Sequence, residues 1–294
     1  MNSGRISQRD FFSSVGLVLL STVCLAVAAS LWKYLTTLSS LGMVVFVRFF
    51  APFVLLGVWA LVRRVRVRVE SFWPHLLRAV VVLGGQYCLL YVLSKTNLLL
   101  ATLLYSTSGL FAPILMFLFL RVRASKKAIV SIVISFVGVA VALGVGPNLI
   151  APISLIGLLS GLLTAAGQII QHRTTKSENI LVINLVLFGL CSLFAFLLLL
   201  VTGGEHLEVF DHFSVGVVGI IAAFALLTIA NQTLKNAAFR LVKKATTLAP
   251  FLYATIIFSG VIDWLWYDIV PQLHTVIGVA LIIAGGAIMS TRRP

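Results

Sequence analysis

The sequence predicts an all-α integral membrane protein with ten transmembrane helices in two inverted repeats of five. Of the 294 residues, 60% are hydrophobic and only 10% are charged, and the mean hydropathy is +1.11. A soluble domain carries roughly 25% charged residues. The apolar segments run for about 18–23 residues, which is the length of a helix that crosses a ~30 Å hydrocarbon core. Barrel strands would instead alternate over about ten residues.

Ten apolar segments follow one another along the chain. They cover approximately residues 12–34, 42–62, 74–94, 98–120, 127–146, 152–172, 180–201, 213–235, 245–266 and 273–291. Of the 22 Lys and Arg residues, 18 lie at the termini or in and beside every second connection. Connections on the other side carry acids such as Glu205 and Glu208. Because basic loops remain in the cytoplasm, this alternation predicts that both termini are cytoplasmic.

Short similarities between the two halves indicate an internal repeat. The segment Val137–Ala140 is similar to Ile277–Ala280, and Ala112–Pro113 recurs as Ala249–Pro250. We interpret each Ala-Pro pair as the start of the second half of an apolar helix, so the pairs are expected to occupy equivalent positions.

The number of spans determines how the repeats are oriented. Because each repeat has an odd number of spans, helices 1 and 6 enter the membrane from opposite sides, as in the inverted repeats of secondary transporters. We expect the first repeat to cover residues 1–146 and the second to cover residues 147–294.

Polar side chains inside apolar spans are costly, and each is therefore a candidate site residue. The residues predicted to bind substrate are Arg48, Gln86, Tyr87, Tyr105, Ser108, Gln168, Asn231, Gln232, Tyr253 and Asp263. The arginine is expected to pair with a substrate carboxylate, the tyrosines to form aromatic walls and the amides to supply hydrogen bonds. The alternative for this set is hydrogen bonding between helices, worth about 0.6 kcal/mol each.

The charged candidates also have interpretations at the membrane interface. Arg48 can extend to the outer surface, and Lys33 is expected to be an interfacial anchor at the end of helix 1. Asp263 precedes Trp264 and Trp266, which are typical of an interfacial aromatic belt, so its carboxylate can lie there too.

Motifs for catalysis, nucleotide binding and metal ligation are absent from the sequence. Its five histidines have no ligand spacing, and Cys24, Cys88 and Cys191 lie inside spans as packing residues. The net charge of +14 is spread over short loops, which argues against nucleic acid as a partner. We expect no enzyme and no cofactor, with a small-molecule substrate and the lipid bilayer as partners. An intramembrane enzyme and a passive channel are alternatives. An enzyme would need an interfacial cluster of reactive groups, which the sequence lacks. A channel would need a polar stripe along a whole helix, whereas the polar residues here lie near the middle of the spans.

Several segments occur in an order that is typical of one transporter family. They are Lys33 followed by Arg48, then Val92–Thr96, Ala249–Tyr253 and Trp264–Pro271. With these segments the sequence resembles the drug/metabolite transporter superfamily, specifically its ten-helix EamA-type branch, over essentially the whole chain. The resemblance implies a central cavity between the halves, alternating access, and small organic solutes such as amino acids and their derivatives.

Details of the resemblance bear on the substrate. The segment Pro250–Tyr253 is similar to a Pro-Phe-x-Tyr motif in family members that carry S-adenosylmethionine. The chain departs from the family's Gly-Glu pair after helices 4 and 9, where it has Arg121–Arg123 and Asp268–Ile269. We expect a secondary transporter of the cytoplasmic membrane, with proton coupling and exchange both open. A multidrug or lipid exporter of the same fold is the alternative.

Overall fold

The computed structural model describes residues 8–65, 68–121, 126–144, 151–174, 179–201, 214–241 and 248–290, and all regular secondary structure within these ranges is helical. The helices are α1 (Gln8–Leu38), α2 (Leu41–Val62), α3 (Phe72–Lys95), α4 (Leu98–Ser106), α5 (Ser108–Leu120), α6 (Lys126–Leu143), α7 (Pro152–Thr174), α8 (Ile180–Val201), α9 (Val215–Leu241), α10 (Ala249–Leu252), α11 (Ala254–Tyr267) and α12 (Leu273–Ser290). Arg123, the acidic connection with Glu205 and Glu208, and the boundary after residue 146 lie outside the described residues.

The twelve helices fall in order into the ten predicted spans, because α4 and α5 share the fourth span and α10 and α11 share the ninth. Within the described residues, seven apolar segments are long enough to cross a membrane, one of them formed by α4 and α5 together. Three shorter apolar stretches are Ile129–Leu143, Ala254–Tyr267 and Leu273–Ile288, which lie in predicted spans 5, 9 and 10. The all-α membrane fold is therefore confirmed.

The fourth span is interrupted at Thr107, between α4 and α5. The Thr107 hydroxyl donates to the Leu104 carbonyl at 2.5 Å, and the Thr107 N–H donates to the same carbonyl at 3.2 Å. A continuous α-helix would offer that carbonyl to the N–H of Ser108. The Leu104 carbonyl is thus bonded to Thr107 at the point where α4 ends.

The ninth span is interrupted in a similar way at Tyr253, between α10 and α11. The Thr255 hydroxyl donates to the Leu252 carbonyl at 3.0 Å, and the Ile256 N–H donates to the Tyr253 carbonyl at 3.0 Å. The carbonyl that a regular helix would offer to Ile256 is again taken by a threonine.

The predicted equivalence of Ala112–Pro113 and Ala249–Pro250 is wrong. The first proline lies inside α5, after the Thr107 break, whereas the second lies in α10, before the Tyr253 break. The breaks correspond between the halves and the prolines do not. In apolar sequence a shared dipeptide carries little positional information, and the breaks lie at other residues, Thr107 and Tyr253.

Helix contacts are symmetric under exchange of the two halves. α1 packs on α9 just as α7 packs on α3, and the equivalent helices α2 and α8, and α6 and α12, pack on each other. Along α2 and α8, Phe46 lies beside Phe196 and Phe49 beside Phe188, so these two helices run antiparallel. Equivalent helices that pair antiparallel are what an inverted repeat requires.

The two copies of the Gly-Val-Ala segment meet where α6 crosses α12. A Cβ atom on Gly138 would lie 2.7 Å from the carbonyl oxygen of Gly278, so only glycine fits this approach of the backbones. On the same interface the Ser131 hydroxyl donates to the Gly285 carbonyl at 2.6 Å. Small residues allow close packing of membrane helices, and this repeated segment is therefore a contact between the halves.

Candidate functional site

Arg48 lies on α2 against two aromatic rings from other helices. Its guanidinium carbon is 5.4 Å from the ring centroid of Trp32 on α1 and 5.6 Å from that of Phe224 on α9. The two rings are 4.2 Å apart, and both are almost completely buried. A cation over such rings is held by their quadrupoles. The guanidinium therefore packs on buried rings of the helix bundle, and the depth of Arg48 in the membrane stays a prediction.

Tyr105 on α4 connects this cation to further polar groups. It interacts electrostatically with Arg48, and the side chains of Gln86 on α3 and Thr164 on α7 hydrogen-bond with its hydroxyl. The other end of Gln86, its Oε1 atom, is buried and has no hydrogen-bond partner in the part of the chain that the structure describes. The helix packing thus brings together Arg48, Gln86 and Tyr105, three of the predicted residues, from three different helices.

No acidic side chain among the described residues pairs with Arg48. Its guanidinium packs on the two rings, and it interacts electrostatically with Tyr105. The residue as a whole is half-buried, and it lies about 10 Å along α2 from the helix start at Leu41. A positive charge at this depth has lost part of its hydration, and the surrounding side chains give it no formal negative charge in return.

Asp263 has a different environment, because both of its carboxylate oxygens already have donors from the protein. It pairs with the Lys33 ammonium at 3.2 Å and accepts the backbone N–H groups of Leu98 at 3.1 Å and Leu99 at 2.6 Å. The two N–H groups lie at the start of α4, where a helix has unpaired donors and a positive dipole end. Asp263 is only 1% exposed, so its carboxylate is enclosed by the protein. A contact of Asp263 with substrate stays a prediction.

Lys33 is held in place from two sides. Its ammonium lies 4.2 Å from the ring centroid of Tyr267, besides its contact with Asp263. The Tyr267 hydroxyl donates to the Ser30 carbonyl at 3.1 Å. Lys33 is therefore an internal partner of Asp263, and its interpretation as an interfacial anchor is wrong. Together these groups join α1, α4 and α11, and this ion-paired contact is called the Lys33–Asp263 tie below.

The other predicted site residues are not part of the Arg48 group. Tyr253 is buried at the break between α10 and α11, where its hydroxyl packs on Gly109 of α5. Tyr87 is half-buried, and Ser108 is buried at the start of α5. The three amides on α7 and α9 are Gln168, which is exposed, Asn231, which is buried, and Gln232, which is half-buried. Their roles stay predictions.

Sequence reasoning did not identify Trp32, Phe224 and Thr164 as site residues. Aromatic residues are common in membrane spans, and nothing in the pattern tells which ones face a cation. Thr164 lies about one helical turn after Gly161, in a stretch of α7 where small residues allow the close approach of α4. The run of small residues was therefore the available signal for this contact.

Comparisons with known proteins agree with the repeat. The EamA-like transporter family matches the sequence twice, over residues 12–144 and over residues 151–291. One crystal structure of a protein is similar in fold, with a TM-score of 0.67 and 16% sequence identity over 96% of this chain and 97% of the other. At that identity the likeness concerns the fold alone. No curated protein matches the sequence.

Proposed function

We propose that this chain, which belongs to the EamA-like transporter family, is a secondary transporter that carries a small carboxylate-bearing metabolite across the cytoplasmic membrane. The observation that supports this most is Arg48, a cation within the helix bundle that packs on two buried aromatic rings and has no acidic partner among the described residues. Amino acids and their derivatives, S-adenosylmethionine included, form the proposed substrate class.

The energetic state of Arg48 supports a carboxylate ligand. A partly dehydrated cation without a counter-ion is unfavourable, and ionisable groups in membrane spans are rare outside functional sites. A carboxylate would supply the missing negative charge and can accept two parallel hydrogen bonds from the planar guanidinium. The solute would then supply the counter-ion that the described protein residues do not.

Gln86 supports a solute that also carries a positive charge. Arg48 and Gln86 both act on the Tyr105 side chain, and the Oε1 atom of Gln86 still lacks a donor within the described residues. An ammonium group has three donors and no acceptor, so it fits such an oxygen. A zwitterion would place its carboxylate at Arg48 and its ammonium at Gln86, with the Tyr105 hydroxyl between them.

The Lys33–Asp263 tie supports a state in which one end of the path is closed. It joins α1, α4 and α11 near the helix ends that are predicted to face outward. Alternating access would separate these helices as the repeat at 1–146 rocks against the repeat at 147–294. Asp263 would then act on the closing of the path and not on the solute.

The proposed orientation can be tested by labelling. With the termini in the cytoplasm, a cysteine introduced at Glu208 reacts with a membrane-impermeant maleimide in whole cells. A variant without Cys24, Cys88 and Cys191 is the background for this test. Labelling that requires permeabilised cells would reverse the orientation.

Counterflow in proteoliposomes tests the transport function itself. Vesicles preloaded with one unlabelled solute are given the same solute in labelled form, across a panel of amino acids, nucleosides and S-adenosylmethionine. This assay requires only binding and alternating access, so it is independent of the energy source. We expect saturable uptake of a carboxylate-bearing solute, and we expect Arg48→Met to abolish it while Arg63→Gln, a change at an exposed position, leaves it intact.

Two results would contradict the proposal. Unchanged uptake kinetics in Arg48→Met would remove the carboxylate role of Arg48. A folded wild-type protein that shows no counterflow with the panel, but transports a cationic drug or a lipid analogue, would favour the exporter alternative.

A further inference from the structure

Trp32 on α1 carries a buried hydrogen-bond donor that the fold does not use. Its side chain is fully buried, and its Nε1 atom has no hydrogen-bond partner within the described ranges. An indole N–H can donate but cannot accept, and buried tryptophans usually find an acceptor for it. A buried donor without an acceptor has lost its bonds to water and gained none in return. The indole of Trp32 therefore has an open position for an acceptor.

The same indole packs on Arg48. The guanidinium carbon lies 5.4 Å from the centroid of the Trp32 ring, and Nε1 is an atom of that ring. A positive charge without a counter-ion and a donor without an acceptor thus lie side by side, on α2 and α1. One group satisfies both when it is negatively charged and accepts hydrogen bonds, and a carboxylate does so.

The ring of Phe224 is the alternative acceptor for the indole N–H. Its centroid is 4.2 Å from that of Trp32, and the two ring planes meet at 55°. An aromatic face accepts an N–H only weakly, and it supplies no formal negative charge to Arg48. Phe224 therefore does not replace a carboxylate at this position.

We propose that Trp32 is a substrate-binding residue, whose Nε1–H donates to the solute carboxylate that Arg48 binds; this assignment rests on the proposed function. A carboxylate has about four lone-pair positions on its two oxygens. A two-bond contact with the guanidinium uses two of them, and the indole takes a third. An amine that lacks the carboxylate offers no acceptor to either donor, so Trp32 and Arg48 together select for acids.

The position of Trp32 on α1 links this contact to the opening of the path. Trp32 is followed directly by Lys33, which pairs with Asp263 at 3.2 Å. A movement of α1 that separates the Lys33–Asp263 tie also moves the indole. The donor that is enclosed in this structure then becomes accessible to a solute.

Indole N–H signals in NMR spectra of the full-length protein in nanodiscs test this contact. Sodium acetate is the probe, with sodium chloride at equal ionic strength as the control, and tryptophan is isotope-labelled. The Trp32 signal is the one that is missing in Trp32→Phe. We expect it to move downfield and saturably with acetate but not with chloride, and Arg48→Met should remove this response. The other four tryptophans of the chain are exposed, and their signals should stay in place: Trp59, Trp73, Trp264 and Trp266.

An isosteric replacement separates the donor from the packing of the ring. Benzothienylalanine at position 32 keeps a fused ring of similar size but has sulfur in place of the N–H. We expect the apparent acetate affinity, measured from the rise of Tm, to weaken about tenfold, the equivalent of one hydrogen bond to a charged group. The same replacement at Trp59 is the matched control and should leave the affinity unchanged.

Three results would overturn the role of Trp32. A Trp32 signal that ignores acetate, while an Arg48-dependent rise of Tm persists, would assign the indole N–H to the Phe224 ring. An acetate affinity unchanged by benzothienylalanine at position 32 would show that the N–H does not bind the anion. A wild-type protein that responds to acetate in neither assay would also contradict the contact. Counterflow with Arg48→Met decides the proposed function separately, because that comparison leaves Trp32 in place.

Discussion

Two cations on neighbouring helices, Lys33 on α1 and Arg48 on α2, differ in what surrounds them. Lys33 lies 3.2 Å from the carboxylate of Asp263, which also accepts two backbone N–H groups. Arg48 faces the rings of Trp32 and Phe224 and has no acidic partner among the described residues. The two environments are adjacent on α1, because Trp32 contacts Arg48 and the next residue, Lys33, contacts Asp263.

Under the proposed function, the difference separates a cation that stabilises the protein from one that is available to a ligand. A buried charge with a partner makes its favourable contacts within the fold, and removal of either member leaves the other uncompensated. A buried charge without a partner carries its cost in the empty protein, and a ligand relieves that cost. The two residues should therefore respond to substitution in opposite ways.

The largest expected effect is on stability, from Asp263→Ala. This change leaves Lys33 without a counter-ion and the first N–H groups of α4 without their acceptor. We expect a loss of about 3–5 kcal/mol in the free energy of unfolding, measured by denaturant titration in detergent. Asp263→Asn keeps an oxygen acceptor without the charge, and its loss should be smaller.

The exposed residue Asp268 provides a control for Asp263→Ala. It ends the same helix in the left-handed conformation, outside the Lys33–Asp263 tie, and Asp268→Asn, which removes the charge and tolerates this conformation, should change stability by no more than about 0.5 kcal/mol. Equal losses in Asp263→Ala and Asp268→Asn would contradict the assignment of Asp263 as an internal partner.

A double-mutant cycle of Lys33→Ala and Asp263→Ala tests whether the two residues stabilise the fold as a pair. We expect a coupling energy of about 0.5–3 kcal/mol, because each single variant leaves one charge buried and the double variant leaves none. The four proteins are compared by unfolding under identical detergent conditions. Losses that add to within about 0.3–0.5 kcal/mol would show that the ion pair contributes little.

A smaller effect is expected from Tyr267→Phe. The phenylalanine ring still lies over the Lys33 ammonium, but the hydroxyl bond to Ser30 at 3.1 Å is lost. Such a bond contributes about 1 kcal/mol, and the same unfolding assay measures it. The exposed Tyr34→Phe is the matched control and should be silent. A loss in Tyr34→Phe as large as that in Tyr267→Phe would contradict the role of the Ser30 bond.

The fold could be predicted from the sequence because the bilayer imposes a simple constraint. Apolar length and the distribution of Lys and Arg determine the number of spans, and the ten predicted segments match the helices observed. The breaks at Thr107 and Tyr253 were not predictable, because a change in backbone hydrogen bonding inside an apolar span leaves no mark in hydropathy. Without the breaks as markers, the two Ala-Pro pairs looked equivalent in the sequence, and in the structure they are not.

The site was predictable only in part. Arg48, Gln86 and Tyr105 stand out as polar residues in apolar spans, and the structure brings them together. These helices are apolar on every side, so the sequence does not show which face of a helix packs on its neighbours. Gln168 and Tyr253 therefore looked equivalent to these three residues. The pairing of Lys33 with Asp263 joins residues 230 positions apart, and no local pattern indicates it.

The smallest expected effect on stability is that of Arg48→Met, and it is the test that most directly sets Arg48 apart from Lys33. Methionine keeps an apolar side chain of similar length against Trp32 and Phe224, while it removes the uncompensated charge. The lost cation–π contacts, about 0.5–2 kcal/mol, oppose the relief of dehydration, so we expect the free energy of unfolding to change by less than about 1 kcal/mol. A loss as large as that of Asp263→Ala would mean that Arg48 has a counter-ion within the fold. Near-wild-type stability together with abolished counterflow would instead place the partner of this charge on the transported solute.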